Sequence, residues 1–284
     1  MPKVRRSVFL SWLFGMSVGV PAAYGQSRTI RGDRWLRIAA LSGTVEFIPF
    51  QGQRRRARIG DRLSSVGDVL ITGPDSSARL EVDLATGFVS MAENSQLQIR
   101  TLSITRSGGR ITELLVQRGQ VRLRIRPLTN PATRIEIYTP AGVSGVRGTE
   151  FGVAVGPEGQ TGVATLEGLV SSSAQGQTVS VRALEQTTIR PGEPPTPPEP
   201  LRDDPDLFIE VLRPASGRDE QGRSLVEIAG FTDVVNLLAV DNEPQSLSRD
   251  GRFEVSVPLP ENRRIPVLIT TPLGTNQQYE LVVP

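Results

Sequence analysis

Apolar and polar residues alternate along most of this chain, in short stretches separated by Gly, Asp and Asn. Residues 78–84, for example, place Ala, Leu, Val and Leu on one face and Arg79, Glu81 and Asp83 on the other. No 3.6-residue period continues over a dozen residues. Period-two alternation is typical of half-buried strands, so the pattern predicts an all-β protein.

A proline-rich stretch divides the alternating pattern into two parts. Residues 191–205 contain seven prolines, and proline fixes φ and removes a backbone donor, which favours an extended linker. We therefore expect a first β domain over residues 36–190 and a second over residues 206–284. The first fits either a solenoid-like or a two-layer β arrangement, and the second suits a small sandwich. We expect residues 26–190 to fold alone and proteolysis to cut first in the linker.

The N-terminus has the layout of a secretory signal peptide. A basic start with Lys3, Arg5 and Arg6 precedes an apolar run over residues 8–20, and small residues follow up to Gly25. This predicts cleavage after Gly25 and a periplasmic or secreted protein. The run is shorter than the roughly 20 residues of a spanning helix, so we expect no transmembrane helix in the mature chain. The alternative is an uncleaved signal anchor.

Composition removes most catalytic chemistry. The chain has no His and no Cys, and its only lysine is Lys3, within the predicted signal peptide. This excludes imidazole bases, thiol nucleophiles, thiolate metal sites and lysine Schiff bases from the mature chain. We expect no catalytic residue, no cofactor and no metal site, although a hydrolase that uses carboxylates alone remains an alternative. Removing residues 1–25 lowers the formal charge from +2 to −1, so bulk charge does not favour nucleic-acid binding.

Residues 139–151, with the sequence TPAGVSGVRGTEF, form the most distinctive motif. Its three glycines are spaced by three, which suits a backbone that turns or approaches another closely. Arg147 and Glu150 are near enough to pair across a tight turn. The glycines lead into a strand and no Gly-Lys-Ser/Thr follows, so a phosphate cradle is not predicted. We expect the motif to be structural.

This motif resembles the core motif of the FecR family, an extracytoplasmic signal-transducer domain. Further pieces occur in the family's order, at residues 41–45, 59–63, 66–70, 72–80, 119–121 and 163–170. The resemblance spans roughly residues 41–190 and implies binding or signalling outside the cytoplasm. The residues that match the family's motif are Gly142, Gly145, Val146, Arg147, Gly148, Thr149, Glu150 and Phe151.

Full-length FecR proteins carry a cytoplasmic anti-sigma segment and a membrane helix ahead of this domain. We expect neither in this chain, so the resemblance implies a fold and an interaction style and not direct regulation of a sigma factor. The second part is similar to bacterial immunoglobulin-like modules, through residues 226–230, 240–242 and 250–255.

Two groups of arginines are candidate contacts for an anion or a partner. The first is a basic run that favours a solvated hairpin loop. The second alternates along one strand and shares a face, where Glu113 or Glu136 of neighbouring strands could neutralise it. The two groups are Arg54, Arg55, Arg56 and Arg58, and Arg122, Arg124 and Arg126.

The sequence thus predicts an exported, non-enzymatic FecR-domain protein that binds an envelope or protein partner, with a role in extracytoplasmic signalling. The alternative is a structural cell-surface module that holds an anionic glycan through its arginines.

Overall fold

The computed structural model describes residues 34–83 and 86–283, and this part of the chain is entirely β. The predicted all-β class is confirmed. No helix in the described part is long and apolar enough to cross a membrane. The predicted signal peptide lies outside the described residues.

The first seventeen strands build the N-terminal unit. They are β1 (Leu36–Ser42), β2 (Val45–Ile48), β3 (Arg55–Arg56), β4 (Arg62–Leu63), β5 (Val69–Thr72), β6 (Ser77–Val82), β7 (Gly87–Met91), β8 (Gln96–Ile104), β9 (Arg110–Ile125), β10 (Arg134–Tyr138), β11 (Val143–Val146), β12 (Glu150–Val155), β13 (Thr161–Glu167), β14 (Leu169–Ala174), β15 (Gln177–Arg182), β16 (Glu185–Ile189) and β17 (Glu199–Pro200).

These strands form two sheets that share β9. Sheet A has the order β4-β1-β6-β7-β9-β12-β13-β16-β17. Sheet B has the order β3-β2-β5-β8-β9-β10-β11-β14-β15. Neighbouring strands are antiparallel, except for the parallel pair β9–β10. The chain passes repeatedly from one sheet to the other, which gives a two-layer arrangement.

The long strand β9 joins the layers. Residues 110–118 pair with β8 in sheet B, whereas residues 119–124 pair with β12 in sheet A. The change of sheet occurs at Gly119, whose φ of 82° is unfavourable for other residues. The alternating apolar residues of both sheets meet in one buried core, which includes Leu80, Leu114 and Phe151. Burying one face of each strand is the main source of stability.

The C-terminal unit has two smaller sheets and its own core. Its strands are β18 (Phe208–Arg218), β19 (Ser224–Phe231), β20 (Leu237–Val240), β21 (Glu243–Gln245), β22 (Arg252–Pro258), β23 (Arg264–Thr270) and β24 (Asn276–Val282). Sheet C has the order β18-β19-β22, and sheet D has the order β21-β20-β23-β24. Ile228, Val240 and Val267 are fully buried between the two sheets.

The proline-rich segment is bonded to the N-terminal unit along much of its length. The Thr196 N–H donates to the Thr188 carbonyl at 2.9 Å, and β17 pairs with β16. The Leu201 N–H donates to the Leu184 carbonyl at 2.8 Å. Asp203 then accepts hydrogen bonds from Thr271 and Thr275 of the C-terminal unit, at 2.5 and 2.9 Å. The segment is anchored at both ends.

Candidate functional site

The glycine-rich motif connects the two sheets of the N-terminal unit. Its first half is β11 in sheet B, its second half is β12 in sheet A, and residues 147–149 cross between them. Gly148 has a φ of 100°, and a Cβ built on it would lie 2.6 Å from the Pro127 Cα. A Cβ on Gly142 would lie 2.6 Å from the Ser173 carbonyl oxygen. Two of the three glycines therefore occupy positions that no side chain fits.

Gly145 differs from the other two glycines of the motif. A Cβ built there would meet only the Glu136 Cγ, at 3.9 Å, which is an ordinary contact distance. Val146 and Phe151 are buried in the core, and Thr149 is buried at the crossing. The Thr149 carbonyl accepts a hydrogen bond from the Ile125 N–H at 2.9 Å, which ties the crossing to β9.

The expected pair between Arg147 and Glu150 is not formed. The Glu150 carboxylate accepts hydrogen bonds from Arg122 at 2.6 and 3.0 Å and lies 3.5 Å from the Arg124 Nε. The register of β9 and β12 places Glu150 opposite Arg124, whereas Arg147 lies at the end of β11 in the other sheet. Arg147 is exposed, and its side chain has no ion pair in the described part of the chain.

Arg122 and Arg124 of β9 are neutralised, but not by the residues that the sequence indicated, whereas Arg126 lies just beyond β9 and has no ion pair among the described residues. Glu113 and Glu136 lie in sheet B, where both approach Arg134 at 3.4 and 3.3 Å. Because β9 changes sheets at Gly119, residues on its two halves do not share a face. Glu150 takes the role that was predicted for them.

The basic run at residues 54–58 is also largely paired. Arg54 bonds Glu46, and Arg55 donates to both carboxylate oxygens of Asp61 at 2.7 and 3.0 Å. The hydrogen bond from Arg55 holds the pKa of Asp61 below its usual value. Arg55 also lies 4.9 Å from the Phe47 ring centroid, and Arg56 donates to the Gly43 carbonyl at 3.2 Å. The run is a hairpin edge held by local contacts.

The outer face of the β12–β13 hairpin carries a patch of small residues. We define the Gly/Ala patch as Gly152, Ala154, Gly162 and Ala164. Gly152 pairs with Ala164 and Ala154 pairs with Gly162 in register. Both alanines are buried, although they point away from the sandwich core.

Main chain of the C-terminal unit covers this patch. A Cβ on Gly152 would overlap the Pro272 carbonyl oxygen, and a Cβ on Gly162 would overlap the Val235 carbonyl oxygen. Gln120 donates to the Pro272 carbonyl at 2.7 Å. Such an approach of two backbones needs residues without large side chains.

Polar side chains surround the Gly/Ala patch. Arg122 donates to the Leu273 carbonyl at 3.3 Å, so the arginine that binds Glu150 also holds the C-terminal unit. Gln186 donates to Asp233 at 3.2 Å, and Arg190 donates to the Ser248 carbonyl at 2.7 Å. The described residues, 34–83 and 86–283, accordingly form one compact unit. The sequence signal for this interface was the repeated Gly-x-Ala of β12 and β13, which places only small residues on the face opposite the core valines.

A cleft of about 380 Å³ lies beside this interface. Val155 and Pro157 line it from the N-terminal unit, and Leu237, Ala239 and Leu268 line it from the C-terminal unit. Its walls therefore exist only while the two units remain docked.

Comparison with known proteins gives one family match. Residues 68–171 match the model of the FecR protein family. The match covers the glycine-rich motif and confirms the resemblance over this part of the chain. No curated protein matches the chain.

Two solved structures are similar, both described as a candidate anti-sigma factor from Parabacteroides distasonis ATCC 8503. The first is 14% identical with a TM-score of 0.38, over 47% of this chain and 59% of that protein. The second is 14% identical with a TM-score of 0.34, over 46% of this chain and 54% of that protein. The chain thus spans little more than half the length of either.

Proposed function

We propose that this chain is an exported, non-enzymatic FecR-domain protein that regulates signalling by binding a protein partner in the cell envelope. The match of the FecR family model to residues 68–171 carries this proposal. The predicted signal peptide supports export, and the absence of His and Cys favours binding over catalysis.

Recognition in such a protein depends on the shape of a rigid surface. Glu150 and two glycines of the motif are engaged in contacts within the chain, since Glu150 bonds Arg122 and both Gly142 and Gly148 lie against backbone. A partner would therefore meet exposed side chains around the motif, such as Arg147, and not the motif's core.

The C-terminal unit acts in this proposal as a spacer or second contact of immunoglobulin-like design. Its strand order supports this assignment, because β18, β19 and β22 form one sheet and β21, β20, β23 and β24 form the other. This is the order in which strands A, B and E face strands C′, C, F and G in immunoglobulin-like sandwiches.

Site-specific photo-crosslinking in the native envelope tests the leading proposal. A photoreactive residue at Arg147 should capture a distinct protein, identified by mass spectrometry. The matched control is Glu158, which is exposed in the turn at the other end of β12 from the motif. Capture of the same proteins from both positions, or of none from Arg147, would contradict a partner surface beside the motif.

A second function, binding of an anionic glycan, is favoured by two arginines. Arg126 and Arg147 are exposed, and in the described part of the chain neither side chain has an ion pair. The two residues are close in space. Arg147 directly precedes Gly148, and a Cβ built on Gly148 would lie 3.4 Å from the Arg126 carbonyl carbon. Unpaired guanidinium groups are well suited to carboxylate or phosphate.

Retention on immobilised polygalacturonate tests this second function. The double variant Arg126→Gln/Arg147→Gln should lose retention, while Arg54→Gln should keep it because Arg54 is already paired with Glu46. Retention that is equal in both variants would rule out a site at the motif.

A further inference from the structure

The edges of the N-terminal sandwich differ in their protection against further pairing. Three edge strands contain only two residues each, and each carries Arg or Pro, namely β3, β4 and β17. Short length, charge and proline are the usual devices that prevent an edge from accepting another strand. The fourth edge strand, β15, has six residues and pairs only with β14 among the described strands.

The geometry of the β14–β15 hairpin determines which backbone groups of β15 face outward. The turn consists of Gln175 and Gly176, with φ of 49° and 73°, as in a two-residue type I′ turn. The pair next to such a turn is hydrogen-bonded, and bonded pairs then alternate along the hairpin. Val179 and Val181 therefore bond β14, while Thr178 and Ser180 direct their N–H and C=O groups away from the sheet.

Side chains on this edge do not oppose pairing. Residues 177–181 contain no charged residue and no proline, and the hairpin has no bulge. Thr178 and Ser180 are exposed on the outer face of sheet B. Val179 faces the core but is only partly buried against it. A strand added here would cover the remaining exposed surface of Val179.

An exposed leucine in a strained conformation lies at the end of the same edge. Leu184 has a φ of 62° and is 61% exposed. The left-handed region is costly for a bulky residue, and Gly or Asn would fit this turn better. Hydrogen bonds from the Leu184 N–H to the Thr165 carbonyl and from the Leu201 N–H to the Leu184 carbonyl, both at 2.8 Å, hold the turn in this conformation and leave the leucine side chain exposed. Leu169, which lies opposite Arg182, is also 48% exposed.

We propose that β15 pairs with β15 of a second copy of this chain, antiparallel about a two-fold axis at Val179. In this register Thr178 of each copy exchanges two backbone hydrogen bonds with Ser180 of the other. Arg182 lies opposite Gly176 of the other copy, so no like charges meet. In this register β15 supplies matching backbone donors and acceptors for both partners. A second copy of the chain is therefore the occupant of this edge.

The neighbouring register, with Ser180 opposite Ser180, is disfavoured by a contact within the chain. It would require the Arg182 N–H to bond Thr178 of the second copy. That N–H already donates to the Glu185 carboxylate at 2.8 Å. The interface is small beside the roughly 1,200–2,000 Å² of stable complexes, so the dimer should be weak and concentration-dependent.

Disulfide trapping tests the register, because the chain has no native cysteine. Directly opposed residues of a non-hydrogen-bonded pair have Cα atoms about 4.5 Å apart, within the range of a disulfide. Val179→Cys in the full chain should therefore form a covalent dimer under mild oxidation. Thr178→Cys is the matched control, since it is more exposed but lies two residues out of register with itself. Equal trapping of both variants, or trapping of Ser180→Cys instead, would overturn the proposed register.

Sedimentation equilibrium tests the pairing itself without cysteine. Ser180→Pro removes an outward N–H that the fold does not use, and proline is tolerated at such edge positions. It should weaken dimerisation by about tenfold or more, while Ser180→Ala should leave it unchanged. A wild-type chain that stays monomeric at all concentrations, or an undiminished Ser180→Pro dimer, would overturn the proposal.

Discussion

Two consecutive hairpins of the same sandwich show how differently the outer face of a sheet can be used. The β12–β13 hairpin is buried on both faces, with Gly and Ala on the outside beneath the C-terminal unit. The β14–β15 hairpin is buried on one face, with Ser and Thr on the outside. Both place valines toward the same core, including Val153 and Val170.

The inner faces of these hairpins therefore specify the fold, and their outer faces determine which other backbone or strand can pack against them. Gly and Ala allow another backbone to reach the sheet, because neither has a side chain that extends beyond Cβ. Hydroxyl side chains remain hydrated and leave the edge beside them accessible. The four predictions below test this contrast.

The largest effect should come from filling the Gly/Ala patch. Gly152→Val would place a side chain into the Pro272 carbonyl, and the C-terminal unit could not dock without a backbone shift. We expect the free energy of unfolding to fall by at least about 3 kcal/mol in urea titrations. Limited proteolysis should then cut residues 191–205, which are anchored in the native protein.

The matched control is Gly145→Ala, because a Cβ at Gly145 would meet only the Glu136 Cγ, at an ordinary contact distance of 3.9 Å. If Gly152→Val were as stable as Gly145→Ala, the close approach of the two units would not be a stabilising contact.

The next effect concerns the crossing that leads into β12. Gly148→Val combines a φ of 100° with a Cβ 2.6 Å from the Pro127 Cα. We expect a loss of about 2–3 kcal/mol, measured by thermal unfolding together with urea titration. Unchanged melting of this variant would show that the crossing can relax.

A smaller effect should follow from removing the link between Glu150 and the C-terminal unit. Arg122→Met leaves Glu150, whose side chain is only 12% exposed, with Arg124 at 3.5 Å as its remaining cation. We expect a loss of about 1–2 kcal/mol. Arg54→Met removes an exposed pair and should leave the free energy of unfolding almost unchanged. Equal costs for the two variants would mean that Arg122 contributes only a surface pair.

The smallest effect on stability concerns the turn that follows the exposed β14–β15 hairpin. Leu184→Asn should relieve the left-handed strain and raise the free energy of unfolding by up to about 1 kcal/mol. Leu169→Asn is the control, because Leu169 is exposed in a regular strand and carries no such strain. A destabilised Leu184→Asn would indicate that the leucine packs within its own chain.

The sequence predicted the strands well because alternation reports the inner face directly. Residues 78–84 and β6, for example, have the same buried positions at Ala78, Leu80 and Val82. Gly148 was also predictable, since its place before a strand indicated a turn. Glu150 was assigned the wrong partner, because its distance from Arg147 along the chain is short while its true partner Arg122 lies 28 positions away. Such pairs depend on the register between neighbouring strands, and the separation of two residues along the sequence does not reveal that register.

Period-two alternation and turn residues by themselves determined the all-β class and the apolar face of most strands, because both depend on neighbours along the chain. Only the tertiary structure decided which sheet each strand joins, where β9 leaves one layer for the other, and which glycines lie against distant backbone. Those features depend on contacts between residues far apart in sequence, such as Gly152 and Pro272, whose meeting is a result of packing.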